Sequence, residues 1–232
     1  MSESRTVYVY EAIIRGVLAG RFRPGQALNR REVASELSVS ISPVNEAFAV
    51  LQSEGIVQTL PRKGTFVAQL DWRDLTELTL VRAALEAEAA RAYCGESIAG
   101  RRQEMLDLAA KVDSAEPVTY EHLHADVVFH RALVSLAGNR ALATMLDTVI
   151  ARSLLLAMEA NLSTRGRPAT MSHRKLVRDL CSAKPEAVDQ IIRRNIFSGK
   201  EAFLDVDMSR GSADRADSSL DLVLSVLQEA HV

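Results

Sequence analysis

Apolar positions recur at helical spacing along most of the chain. Residues 7–19, VYVYEAIIRGVLA, carry the first such stripe, and Gly20 with the following RFRPG ends it. A compact helix-start signal comes next. Asn29 stands where a cap is needed, Glu32 lies three residues on, and Leu28 and Val33 occupy the two staple positions. This predicts a short helix over 30–37, with SVSIS as the turn after it. Ser42 is then placed as the cap of a second helix and Pro43 at its first position. Val44, Ala47, Phe48 and Leu51 share one face of that helix in the i, i+3, i+4, i+7 pattern, and Asn45, Ala49 and Gln52 face the other way. Gly55 closes it, and IVQTL, PRKG and TFVAQL read as strand, turn and strand. Residues 1–70 are thus expected to form a winged helix-turn-helix.

After DWRD the pattern becomes one of long amphipathic helices, expected near 72–94, 97–113, 119–137, 139–161, 170–182, 185–207 and 217–230. CGES, DSAEP, AGN, STRGRP, SAKP and SRGSAD supply the breaks. The fold class is mostly α: the winged helix-turn-helix followed by an all-helical bundle over 71–232.

Composition narrows the picture. Of 232 residues 47% are apolar, enough for packed cores. Cys94 and Cys181 lie far apart in helical contexts, so neither a disulfide framework nor a zinc ribbon is expected, and the cytoplasm is the expected compartment. The opening MSESRTVYVYEA lacks a signal layout. Asp147 and Arg152 interrupt the most apolar long stretch, so no membrane span is expected. The net charge is −2, but residues 1–70 carry eight Lys/Arg against six Asp/Glu, while the remainder is acidic. The sign of that split suits an N-terminal segment that meets an anion.

The motifs VYEAIIRGVLAGRFRPGQALN, REVASELSVSISPVNEAF and LQSEGIVQTLPRKGTFV, followed by VRAALEAEAA and ADVVFHRALVSLAGN, resemble the GntR family of bacterial transcription regulators, within it the FadR-like subfamily with its FCD-type ligand-binding domain. The resemblance covers nearly the whole chain. It implies a homodimeric DNA-binding regulator whose C-terminal bundle takes a small effector, often a carboxylate beside a divalent metal. The family motif around the recognition helix usually reads Ser-Arg-x-Pro-Val-Arg-Glu-Ala. Here Ile41 and Asn45 replace the two arginines, whereas Arg31 matches the arginine opening the preceding helix, and Arg62, Lys63 and Gly64 match the wing.

From Glu32 to Pro61 there is no Lys or Arg. Phosphate affinity must then come mainly from Arg30, Arg31, Arg62 and Lys63, with Arg5, Arg21 and Arg23 as further candidates and Ser40 and Ser42 as phosphate contacts beside a helix N-terminus. Asn45, in the first turn, and Gln52 are the candidate base readers, and amide side chains pair well with adenine. Against this stands the plain alternative that Asn45 is a good early-helix residue and Gln52 a solvated one. A two-fold dimer implies an inverted-repeat operator.

In the bundle, the stripe Leu123, Val127, Val134 and Ala137 marks a buried face, with His130 in its middle and Asp126 at its edge. His173 lies with Leu176, Val177 and Leu180, and Asn195 with Val188, Ile191 and Ile192. Four polar groups therefore point inward, and Asp126, His130 and His173 make a reasonable divalent-metal set, zinc first, with nickel or manganese as alternatives. The resemblance implies a further histidine where Asn195 stands, a weaker ligand. The plain alternative is a hydrogen-bonded core with no metal. His122 and His124 fall off the stripe and read as surface residues. Arg82 shares a face with Leu75, Leu78, Leu85 and Ala89, with Glu86 one turn on. A buried guanidinium needs an anion, either Glu86 or an effector carboxylate. Arg152 is a further effector candidate. Two other functions fit parts of the pattern: a metal-dependent hydrolase or isomerase built on the Asp/His/His set, and a regulator whose bundle only dimerises.

Overall fold

A computed structural model describes residues 2–69, 72–117, 119–164 and 172–198. The N-terminal part opens with α1 (Ser2–Leu18), followed by β1 (Ala27–Leu28), α2 (Arg30–Glu36), α3 (Ile41–Ser53), β2 (Val57–Leu60) and β3 (Gly64–Val67). Asn29 caps α2 by accepting from the Arg31 N–H, and its amide donates to Glu32, so the start signal works through the side chains expected of it. Leu28 and Val33 are both buried. Val44, Ala47, Phe48 and Leu51 are fully buried, and α3 packs along α1 through them.

The recognition helix α3 starts earlier than a cap at Ser42 predicts. Ser38 takes a positive φ of 54°, which makes the turn tight, and Ser40 becomes the N-cap. Pro43 still falls in the first turn, where its missing N–H costs no hydrogen bond. Ser42 instead donates to Glu46. Gly55, with φ 68°, ends the helix where a side chain would be strained. The wing is a three-stranded sheet in the order β1–β3–β2, all antiparallel, with Ala27 opposite Phe66 and Thr59 opposite Thr65. The short β1 gives no signal of its own in the sequence, because two residues are too few to show a period.

The remaining elements are helical: α4 (Trp72–Tyr93), α5 (Glu96–Ala99), α6 (Arg102–Ser114), α7 (Tyr120–Ser135), α8 (Arg140–Thr164), α9 (His173–Ser182) and α10 (Val188–Phe197). The helix expected over 97–113 is split at Gly100–Arg101, where glycine weakens helix continuity. The helix expected over 217–230, and the end of that over 185–207, lie outside the described residues. α4 is the spine of the bundle and packs on α8, α10 and α7. No helix among the described residues is long and apolar enough to cross a membrane.

The two halves meet along α1, α3, α7 and α8. Arg15 pairs with Glu121 at 2.6 Å and lies over the Tyr120 ring at 4.5 Å. Between the halves is a hollow of about 280 Å³, lined by Val7, Tyr10, Val50, Glu54, Val127 and Arg131, among others. In it Tyr10 donates to Glu54 at 2.7 Å, and burial pushes both groups' pKa values up.

Candidate functional site

The first candidate surface lies on α2, α3 and the wing. Arg30 links all three: it donates to Asn45 Oδ1 and to Thr65 Oγ1, each at 3.3 Å, and lies 5.1 Å from the Phe48 ring centroid. Asn45 is exposed in the first turns of α3, and this contact engages its amide oxygen. Gln52, also exposed, accepts from Thr59 Oγ1 at 2.8 Å, which ties α3 to the wing. Ser40 is exposed and makes no side-chain capping bond. Arg31, Arg62, Lys63 and Gly64 are exposed, and the three cations form no ion pair among the described residues. Arg62 has φ 63° and Gly64 φ 112°, so the wing tip is a tight reversal. Asn29, Arg30, Lys63, Gly64 and Thr65 border a concavity of about 480 Å³, basic at both edges. The geometry suits a phosphate strand gripped from its flanks, with the uncharged tip of α3 free to approach base edges.

The second candidate lies inside the bundle. Asp126, His130 and His173 each offer a donor atom, all within 4.8 Å of one another. His130 Nε2 is 3.1 Å and His173 Nε2 3.6 Å from Asp126 Oδ1. The other ring nitrogen of each histidine is held by a second carboxylate: His130 Nδ1 by Glu86 at 2.5 Å, and His173 Nδ1 by Asp113 at 3.0 Å. Asp113 also accepts from the Ser172 hydroxyl and from the N–H groups of His173 and Arg174, so it fastens the start of α9. Phe129, fully buried, sets its ring edge-on to both imidazoles, at 5.0 and 5.2 Å.

Charge is balanced tightly here. Arg82 Nε donates to Glu86 at 2.6 Å, and its terminal nitrogen lies 3.9 Å from Asp126. Burial works to raise the Glu86 pKa, but His130 and Arg82 hold it down at about 2. Burial likewise opposes Asp126, and His130 and His173 hold its carboxyl well below the usual range. Burial lowers the His173 pKa, yet Asp113 and Asp126 outweigh this and raise it to about 9. Asp126 Oδ1 is buried and makes no well-directed hydrogen bond.

The structure therefore brings Arg82, Glu86, Asp126, His130 and His173 together. Asn195 is buried on the inner face of α10 with Val188, Ile192 and Ile196. Arg152 is not part of the cluster. It pairs with Asp74 at 2.8 Å, and its side chain covers Gly55, where an added Cβ would stand 3.0 Å from it. His122, expected on the surface, is half-buried with its Nδ1 enclosed and unpartnered, whereas His124 is exposed and stacks on Tyr120. A turn of α7 places His122 one turn before Asp126, which an apolar stripe alone does not reveal. Asp113 also escapes a reading of the sequence, since a carboxylate at the end of one helix gives no sign that it caps another far along the chain.

The arrangement agrees with comparisons to known proteins. Residues 6–67 match the model for bacterial regulatory proteins of the gntR family, and residues 77–197 match the FCD domain. The chain is 36% identical over 122 residues to the Nta operon transcriptional regulator of Aminobacter aminovorans, covering 52% of this chain and 58% of that protein. It is 27% identical over 194 residues to the probable D-xylose utilization operon transcriptional repressor of Paenarthrobacter nicotinovorans, covering 81% and 84%. Among solved structures, a putative GntR transcriptional regulator from Rhodococcus sp. RHA1 superposes with a TM-score of 0.61 at 25% identity, covering 91% of this chain and all of that one. With a winged helix-turn-helix at its N-terminus and an FCD domain behind it, the chain belongs to the gntR family and is a DNA-binding transcription regulator.

Proposed function

We propose that this regulator senses a small carboxylate through a divalent metal held by Asp126, His130 and His173, and that it acts as a homodimer on an inverted-repeat operator. One observation carries the metal reading. Both imidazoles have Nδ1 fixed by a carboxylate and Nε2 turned toward Asp126, whose Oδ1 lacks a well-directed partner. Outer carboxylates on histidines are how proteins orient metal ligands and raise their basicity. The residues thus fit a divalent cation. Mixed imidazole and carboxylate donors suit zinc first, with nickel and manganese as the alternatives. Asn195 offers a carbonyl oxygen where a fourth imidazole would bind more strongly.

The bound ion would supply positive charge for an effector carboxylate, with three protein ligands leaving coordination positions open. Arg82 and Glu86 set the charge and position of that site. Arg152 takes a different part at the seam between the halves, where it ties α8 and α4 to the end of the recognition helix. On DNA, Arg30, Arg31, Arg62 and Lys63 grip phosphate with Ser40 and Ser42, and Asn45 and Gln52 face the bases, favouring A/T-containing half-sites. The effector shifts DNA affinity only as far as it binds the two arrangements differently. Elemental analysis of protein purified without chelator, beside a His130→Ala variant, tests the metal. About one ion per chain in the parent and a loss in the variant is expected, and an absence of metal from both overturns the reading.

A further inference from the structure

Five buried polar side-chain atoms lack a hydrogen-bond partner among the described residues: Thr79 Oγ1, Tyr93 OH, His122 Nδ1, Asp126 Oδ1 and Arg152 Nε. Two of them, Thr79 Oγ1 and His122 Nδ1, fall at one level of two facing helices by register. α4 and α7 face each other in a parallel register, because Arg82 meets Asp126 and Glu86 meets His130 at the same offset of 44 residues. One turn toward both N-termini, that register sets His122 level with Leu78, beside Thr79. Thr79 is 2% exposed, and its hydroxyl makes none of the backbone bonds that helical threonines commonly make. His122 lies within electrostatic reach of Asp126, His173 and Asp113, but Asp113 is already engaged by four donors.

A buried polar atom without a partner has given up its bond to water and received nothing in return. Two such atoms, both able to donate, at one level of two facing helices call for an acceptor between them. His122 is also in the first turn of α7, after the Thr119 cap, where the helix dipole favours negative charge. The level lies one helical turn, about 5–6 Å, from the Asp126 layer.

We propose that Thr79 and His122 form a second subsite that receives the far carboxylate of the effector, which makes the effector a dicarboxylate of four to six carbons. This deepens the metal reading and rests on it. The near carboxylate lies at the Asp126/His130/His173 end, and the far one accepts from the Thr79 hydroxyl and the His122 imidazole. Thr79 and His122 are positioned to set specificity and do not hold the metal.

The test is calorimetric titration of the zinc-loaded full chain with succinate, glutarate and adipate, and with butyrate, valerate and hexanoate as matched monocarboxylates. One of the dicarboxylates is expected to bind at least tenfold tighter than its matched monocarboxylate. Thr79→Val and His122→Leu should each bring that ratio to within about threefold, with zinc content and monocarboxylate affinity unchanged. Equal affinities in the parent, as expected if an ordered water fills the gap, overturn the proposal, as does a preference that survives both substitutions. Zinc uptake without binding of any dicarboxylate overturns it and leaves the metal reading intact. Failure to take up zinc, nickel or manganese overturns the metal reading, and this proposal with it.

Discussion

Glu86→Gln is the most informative single change in the bundle. Glu86 is 1% exposed and joins Arg82 at 2.6 Å to His130 at 2.5 Å. Gln keeps the shape and removes the charge, leaving Arg82 buried with only Asp126, at 3.9 Å, to balance it among the described residues. Two routes to the cost agree. Removing one partner of a buried pair costs about 3–5 kcal/mol. The Glu86 pKa of about 2, against an ordinary 4.5, corresponds to something on the order of 3 kcal/mol. The pH dependence follows from the direction of that shift. A depressed carboxyl stabilises the fold above pH 4.5 and loses its contribution as pH falls toward 2. Urea unfolding of the chelator-treated protein should therefore show a gap of about 3 kcal/mol between parent and Glu86→Gln at pH 7, narrowing by about 1 kcal/mol at pH 3.5. The double change Arg82→Met, Glu86→Gln should recover much of the loss, because it removes both charges. A gap below about 0.5 kcal/mol at pH 7, or one that does not change with pH, would refute the reasoning.

Other outcomes follow from the same geometry. Asn45→Arg should shift the sequences selected from random duplexes toward guanine, and Asn45→Ala should cost about 1–3 kcal/mol at the preferred site with little change on non-specific DNA. In the dimer, Arg62→Gln and Lys63→Gln each release two phosphates, one per half-site, and each should lower the magnitude of the log–log salt slope of DNA binding by about 1.8, measured by anisotropy over a salt series. Because the His173 pKa is raised to about 9, a metal must displace a proton from it. Apparent metal affinity should then rise about tenfold per pH unit from 7 and level off near 9. The same shift stabilises the metal-free fold fully below pH 6.5, and that contribution should fade as pH rises through 9.

The parts legible in the sequence are those written in local patterns. The cap at Asn29, the staple at Leu28 and Val33 and the apolar face of α3 each need only neighbouring residues; the structure carries the cap and the face and buries both staple residues. In the bundle, a polar residue inside an apolar stripe marks an inward position, and so Asp126 and His130 stand out. The partners that orient them do not, because Glu86 and Asp113 reach the histidines across helices, at separations of 44 and 60 residues. Arg152 shows the same limit. Its place on the margin of a stripe says that it is partly buried, but not that it faces Asp74 and Gly55 instead of the cluster. Ser42 and Pro43 make a good local start signal and so place the start of α3 too late, whereas the actual turn is set by the backbone at Ser38.

In the proposed function, a carboxylate held at the Asp126/His130/His173 centre changes how the reading head meets DNA. The direct measurement is a binding titration on a duplex selected by the protein, in zinc, with and without the tightest-binding dicarboxylate, for the parent and for Asp126→Ala. A change in Kd of at least fivefold is expected for the parent and none for the variant. A parent Kd that stays the same while the dicarboxylate is bound would contradict it.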